Sequence, residues 1–555
     1  MGRRLFGIAA LSVASLWVAL PATCQKAATP IEVKIFAIND FHGNLLPPGG
    51  GIKITDPDDA SATIAVPAGG SEAMATLIKQ LRSAGPNSIF VAAGDLIGAS
   101  PLLSGILHDE PTVEALSLMG LEASAVGNHE FDDGLAELLR MQHGGCHPDD
   151  HCREGQTFKG ARFQYLAAST IDEATGQTVL PPYYVKTFEG VPMAFIGLTL
   201  KGTSGIVMPT GVAGLSFRDE AETVNALVPE LRSDGIEAIV VLIHEGGFPT
   251  GGYDECPAIS GPIVDIVSKL DKAVDIVVSG HTHKAYNCMI DRRLVTSADK
   301  FGTLVTQIDV QVDRGTHDIV SARAENLIVR TETHAKDPEQ TALIEKYQKI
   351  VEPRANRIVG RLSASLTKAE SPAGEFTLGN LIADAQLSAT KAAGTSGAEI
   401  AFTNPGGVRT DLLMENGNVT YADVFAVQPF GNSLVTMDLT GAQITRMLEQ
   451  QWLDQPKPRI LQVSRGFTYS WSAEKPPGER VVPGSISLNG KPIDPVATYR
   501  VTVNNYLADG GDGFTVLRDG VNRVTGAYDV DVLAGYLGSM QVVSPGPLGR
   551  IVRVD

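Results

Sequence analysis

Residues 237–245 read EAIVVLIHE, six apolar residues in succession followed by His244 and Glu245. A run that is apolar at every position, not at every second one, fits a strand buried on both faces. The same plan recurs in IEVKIFAINDFH (31–42), SIFVAAGD (88–95), ASAVGNHE (123–130) and DIVVSGHTH (275–283). Helix-patterned stretches, SEAMATLIKQLRSA (71–84) and AETVNALVPELRSDG (221–235), lie between them. The alternation predicts an α/β fold from Ile31 to about Val312. In open α/β sheets ligands gather outside the carboxyl ends of the strands. All five runs end there in polar residues.

Length and composition bound the rest. At about 100 to 200 residues per domain, a chain of 555 residues holds more than one core. With 43% hydrophobic and 19% charged residues it is globular. A formal charge of −18 argues against polymeric nucleic acid, because little here could release the counterions of a phosphate backbone. A small phosphorylated substrate requires cations that cancel this field locally. Residues 1–24 read as a signal peptide, with Arg3 and Arg4 before an apolar run from Leu5 to Leu20. The expectation is a periplasmic or secreted protein, no membrane attachment after signal removal, and an open question of lipid on Cys24. Four cysteines remain, and sequence order favours Cys146 with Cys152 and Cys256 with Cys288 among three pairings.

Residues 335–356 read as a linker helix. Asp337 is the expected N-cap, Pro338 the first helical position, and Leu343, Tyr347, Ile350 and Val351 one apolar face, with Pro353 as the stop. Composition changes beyond it: all 11 histidines and all five cysteines precede residue 335, while Trp452 and Trp471 follow it. One domain over 30–334 and a separate α/β domain over 357–545 are therefore expected. Two domains on one helix also suggest a rotation that carries bound substrate to the reacting groups.

The strand ends of the first half supply Asp40, His42, Asp95, Asn128, His129, His244, His281 and His283. Imidazoles mixed with carboxylates and an amide oxygen suit zinc, manganese or iron better than a calcium cage. Any one of these residues alone reads as a turn or a cap; five strand ends carrying such side chains on one sheet edge do not. His129, in VGNHEFDDG (126–134), is open to three readings on the residues alone: metal ligand, acid-base catalyst or helix cap.

In order along the chain, DFHGN, GDLIGASP, GNHEFDDG, HEGG and GHTH resemble the motifs of calcineurin-like metallophosphoesterases, and of the exported 5′-nucleotidase family in particular. LGNLIADA, NPGGVRTDL, PFGN and NNYLADGGDG resemble that family's C-terminal domain. The resemblance implies a helix-flanked β-sandwich over 30–334 as the catalytic domain, a substrate-binding role for the domain over 357–545, and two divalent metal ions as cofactors. It places Asp40, His42 and His283 on one ion, Asn128, His244 and His281 on the other, and Asp95 across both. It leaves His129, oriented by Asp132, as the catalytic residue. It implies that Asn404, Arg409, Phe430, Tyr506 and Asp512 hold a nucleotide, with the two rings around the base.

The implied activity is that of a dinuclear-metal phosphohydrolase removing phosphate from nucleotides by attack of a metal-bridging hydroxide. It would be a 5′-nucleotidase, with UDP-sugar diphosphatase activity as a further expectation and no protein partner implied. The run AESPAGEFT (369–377) lacks the arginine expected before LGNLIADA, which keeps cyclic nucleotides and nucleotide sugars open. The rivals are a 2′,3′-cyclic-nucleotide 2′-phosphodiesterase/3′-nucleotidase, a sister chemistry on sulfur-bound sulfonate, and a non-catalytic nucleotide-binding surface protein. The loop CHPDDHC (146–152), with His143 nearby, has the residue types of a third metal site but reads more simply as an exposed disulfide loop. His108, His317 and His334 fit no cluster, and GGDG (510–513) reads as a turn.

Overall fold

The strand Ile31–Ile38 pairs in parallel with Ser88–Ala92, which pairs with Ala123–Ala125 and then Gln164–Leu166. Leu304–Val312 and Ile319–Ile328 complete this six-stranded sheet in antiparallel fashion on the other side. A second six-stranded sheet has Val191–Thr199, Ala238–His244, Ile276–Ser279 and Arg293–Ala298 in parallel, with antiparallel strands at both edges. The computed structural model describes Gly2 and residues 29–56, 59, 62–148, 150–152, 157–207, 210–391, 396–414, 416–455 and 457–555. The expected signal peptide and Cys24 lie outside the described residues.

The two sheets face each other, and their side chains explain the unbroken apolar runs. From the first strand Ile31, Val33, Ile35 and Ala37 enter the core between the sheets, where Phe195, Val240, Leu242 and Val278 meet them. The intervening residues Phe36 and Ile38 point the other way, into a core under the helices Ser71–Arg82 and Glu110–Met119. Ile239, Val241 and Ile243 likewise pack beneath Glu220–Ser233 and Pro262–Lys269. Each such side chain, fully buried, contributes roughly 1.5–3 kcal/mol. The result is a sandwich with helices on both outer faces, as the family resemblance implies.

The helix Pro338–Ala355 starts as expected: the Asp337 carboxylate accepts from the backbone N–H groups of Glu339 and Gln340. It does not stop at Pro353. On the last turn the ring forfeits only one hydrogen bond, and the helix continues two residues further. Ile350, expected on the buried face, is 39% exposed, and Ile344 packs instead with Leu343, Tyr347 and Val351. That face joins a core shared with Met74 and Leu116 of the first half and Val424 and Leu533 of the second, so the helix is no bare tether.

Beyond it, a five-stranded sheet centres on Thr498–Asn504, flanked by Ile400–Thr403 and Ser433–Thr440. Its core holds Trp452 and Trp471, whose rings lie 5.0 Å apart. Cys146 with Cys152 and Cys256 with Cys288 form disulfides, the pairs that sequence order favours. Among the described residues no helix is long and apolar enough to cross a membrane.

Candidate metal centre and substrate cavity

Because the central strands of both sheets run in parallel, their carboxyl ends share one edge. Asp40 and His42 follow Ile31–Ile38, Asp95 follows Ser88–Ala92, Asn128 and His129 follow Ala123–Ala125, His244 closes its strand, and His281 and His283 follow Ile276–Ser279. Asp40, His42, Asp95, His281 and His283 all have φ between 46° and 68°. Left-handed backbone costs an L-residue about 1–2 kcal/mol, and such strain in non-glycine residues concentrates at functional sites. Cross-loop bonds hold it: the N–H groups of Asp40 and His42 donate to the carbonyls of Gly94 and Asp95, both at 3.0 Å.

The side chains converge. His42 Nε2 lies 3.1 Å from His283 Nε2, which is 3.3 Å from Asp40 Oδ1. Asp95 Oδ2 is 3.8 Å from His42 Nε2 and 2.9 Å from His244 Nε2, while its Oδ1 accepts the His129 backbone N–H at 2.9 Å. Asp95 thus belongs to two groups of side chains with metal-ligand spacing, one with His42 and His129 and one with His244 and His281; Asp40, His42 and His283 form another. The Nδ1 atoms of His42 and His244 lie 2.8 Å from the carbonyls of Gly98 and Ala93. That contact fixes the tautomer and leaves Nε2 as the free lone pair.

Asp40 Oδ1, Asn128 Oδ1 and His244 Nε2 are buried without a hydrogen-bond partner among the described residues, the 2.9 Å approach of His244 to Asp95 being an ion-pair contact without hydrogen-bond alignment. Buried polar atoms are ordinarily satisfied. Acceptor atoms of this hardness turned toward one another fit divalent metal, and the donor set matches the expected cofactor class.

The electrostatics agree with a cation-ready site. Burial pushes the His281 imidazole down to about 3 and that of His283 to about 4, so both are neutral donors. Against its own burial, the Asp95 carboxylate raises His244 to about 10, so a proton sits on Nε2 where a metal ion would displace it. Burial opposes the charged forms of Asp40 and Asp95 too, yet the surrounding imidazoles hold both carboxyls below their usual range.

His129 lies at the rim, its Nδ1 2.7 Å from Asp132 Oδ2. Burial lowers its pKa, but Asp132 and Asp95 outweigh it and the net shift is upward. Gly98 passes against it: a Cβ there would sit 2.6 Å from His129 Cβ and 3.0 Å from Asp132 Oδ2.

A cavity of about 840 Å³ joins this edge to the second half of the chain. Asn128, His129, Asp132 and His281 line it from one side, and Asn404, Arg409, Phe430, Tyr506 and Asp512 from the other. The Phe430 ring lies near-parallel to His129 at 5.8 Å, and the Arg409 guanidinium lies 5.5 Å from the Phe430 centroid. The Asp512 carboxylate is already engaged by Asn404 (2.8 Å), by Tyr506 Oη (2.9 Å) and by Arg459.

Three residues escape the sequence reading. Glu130, of GNHE, accepts from the backbone N–H groups of Asp95 (3.0 Å), Leu96 (2.8 Å) and Gly127 (2.6 Å), pinning two ligand loops together. Its only sequence signal was its place in that motif. Lys368 stands one residue before AESPAGEFT and lines the cavity; burial and then the charge of Arg409 push it down to about 8. It supplies a cation that the run itself lacks. His108, expected to stand alone, stacks on His147 with ring centroids 3.6 Å apart.

Comparison with known proteins agrees with this arrangement. Residues 33–285 match the calcineurin-like phosphoesterase family and residues 358–519 the 5′-nucleotidase C-terminal domain. The chain is 33% identical over 512 residues to "Endonuclease YhcR" of Bacillus subtilis, covering 92% of this chain but 40% of that protein's length. It is 31% identical to "Cell wall protein Lmo0130" of Listeria monocytogenes, covering 94% of this chain and 69% of that protein. A solved 5′-nucleotidase precursor from Thermus thermophilus superposes with a TM-score of 0.73 at 28% identity, over 95% of this chain and all of that one. Site and fold define a phosphoester hydrolase of the metal-dependent class. Within that class, the chain belongs to the calcineurin-like phosphoesterases that carry a 5′-nucleotidase C-terminal domain.

Proposed function

We propose that the chain is an exported phosphohydrolase that removes phosphate from 5′-nucleotides, with bond breaking in residues 30–334 and substrate selection in 357–545. The observation that carries this reading is the joint lining of one cavity by Asn128 and His281 of the metal-type cluster, Asn128 with its buried Oδ1 unsatisfied, and by the Arg409, Phe430 and Tyr506 set. Two divalent ions fit the donors: Asp40, His42 and His283 would hold one, Asn128, His244 and His281 the other, and the Asp95 carboxylate would serve both. Bound there, they would activate water and neutralise charge on the phosphate, offsetting the acidic field of the chain.

The chain's own residues do the rest. Asp132 accepts from His129 Nδ1–H and, with Asp95, favours the imidazolium, whose Nε2–H can stabilise a phosphoryl oxygen and protonate the leaving oxygen. Arg409 and Lys368 attract the phosphate as fixed cations. Phe430 and Tyr506 offer flat apolar faces to the base, and stacking of this kind contributes about 1–3 kcal/mol per base in nucleic-acid binders. Asn404, oriented by Asp512 and by Asn504, faces the sugar.

Phosphate release from AMP, formation of UMP and glucose 1-phosphate from UDP-glucose, and formation of 3′-AMP from 2′,3′-cyclic AMP, each with chelator and with single added metals, test the reading. Chelator-sensitive release from AMP is the expected result, and UDP-glucose measures the diphosphatase activity. Turnover confined to the cyclic substrate would overturn the assignment in favour of the phosphodiesterase. Cleavage of single-stranded DNA in place of AMP would favour the activity named for the Bacillus relative, and binding without turnover in any metal would favour a surface binding protein.

A further inference from the structure

Among the described residues, one more group of side chains outside the cavity has metal-ligand spacing: His108, Glu137 and His147, whose ligand atoms lie within 4.8 Å of one another. They come from three separate segments. His108 sits in the turn between the helices Leu102–Gly105 and Glu110–Met119, Glu137 in the helix Leu135–His143, and His147 in the loop closed by Cys146 and Cys152. The two imidazoles stack face to face, with centroids 3.6 Å and planes 2° apart, and His147 Nδ1 accepts the Asp150 N–H at 3.3 Å. Asp150 Oδ2 stands 2.8 Å from His108 Nε2 and adds a carboxylate to the rim.

We infer that His108, Glu137 and His147 form a third divalent-cation site, distinct from the catalytic pair, for a zinc-class ion. Two imidazoles and one carboxylate are a recurrent zinc donor set, and they do not suit the all-oxygen preference of magnesium or calcium. The surroundings have the features that such sites need. Arg140 Nε and Nη2 donate to the two Glu137 oxygens at 2.8 and 2.7 Å, the kind of outer contact that orients a ligating carboxylate. The Cys146–Cys152 bridge holds the backbone on both sides of His147, and the His151 N–H closes that loop on the His147 carbonyl at 2.9 Å. All three side chains are half-buried, so an ion has a path from solvent.

The position gives the ion a structural consequence. Asp109, next to His108, accepts the Gly98 N–H at 3.0 Å, and the Gly98 carbonyl lies 2.8 Å from His42 Nδ1. An ion that ties the disulfide loop to the 106–109 turn would therefore brace the loop on which His42 and His129 rest, without touching substrate.

The test is an ion count. Wild type, His147→Ala and Glu137→Gln are incubated with zinc, desalted and analysed for metal per chain by mass spectrometry. Thiol titration confirms that the disulfides remain, and turnover of p-nitrophenyl phosphate at saturating zinc confirms that each variant folds. Each variant is expected to carry one ion fewer per chain than wild type, to keep turnover, and to lose the extra thermal stabilisation that zinc gives the wild type. Equal counts in wild type and in either active variant overturn the inference, and so does an equal zinc-induced shift in melting temperature.

Discussion

Gly98→Ala should damage catalysis through geometry alone. Gly98 has φ +82°, and its ideal Cβ would lie 2.6 Å from His129 Cβ, 2.9 Å from the His129 carbonyl and 3.0 Å from Asp132 Oδ2. Carbon atoms settle at about 3.5–4.0 Å, so the segment bearing His129 and Asp132 must retreat by roughly 1 Å. A 1 Å misplacement of reacting groups costs on the order of 10²-fold in rate, about 2.7 kcal/mol of barrier. The backbone adds about 1–2 kcal/mol of strain for an alanine in left-handed conformation, read as lost stability and not as lost turnover. The assay is kcat for AMP at saturating metal, beside metal content per chain and the melting temperature. The expected pattern is a large fall in kcat, a modest fall in melting temperature and full metal content. A variant with wild-type kcat and full metal content would refute the view that Gly98 sets the position of His129.

Other perturbations separate the roles. His129→Ala should keep its metals and lose about 10²- to 10⁴-fold in kcat, whereas Asn128→Ala should lose metal; a metal site emptied by His129→Ala would reverse that division. Glu130→Ala leaves three inward N–H groups unsatisfied, at about 1–3 kcal/mol for each that stays buried, so melting temperature and metal affinity should both fall, and retention of both would show that water replaces the carboxylate. Phe430→Ala should raise KM for AMP about tenfold or more from lost stacking while leaving p-nitrophenyl phosphate turnover nearly unchanged; equal losses on both substrates would assign Phe430 to the reacting centre. Burial raises the Asp529 carboxyl to about 8. A folded pKa above the unfolded one means that stability falls as pH rises from the unfolded value through the folded one. Asp529→Asn should thus raise the melting temperature at pH 9 and change it little near pH 4; a shift of equal size at both would exclude titration as its cause.

The candidate metal edge was legible because burial on both faces writes a strand as an unbroken apolar run, and each run ends where its polar cluster begins. Ile239, Val241 and Ile243 turn outward under helices while Val240 and Leu242 turn inward, so the run in EAIVVLIHE is the direct trace of two buried faces. What stayed hidden depends on distant segments meeting. Glu130 looked like a bystander in its motif, because its partners at Asp95 and Leu96 lie more than thirty positions earlier. Lys368 fell just outside the run searched for a cation. Nothing local to His108 announces that it stacks on a residue of a disulfide loop. Pro353 was a fair stop signal that failed because the last turn of a helix has little left to lose.

The cavity's divided lining separates two kinds of change. Every candidate metal ligand precedes residue 284, and every residue proposed to hold the base and sugar follows residue 403. Substitutions that retune which nucleoside enters can accumulate in one stretch of chain without disturbing the atoms that would break the bond. A lineage built this way can explore new substrates by exchanging its C-terminal half, keeping one catalyst while changing what it is offered.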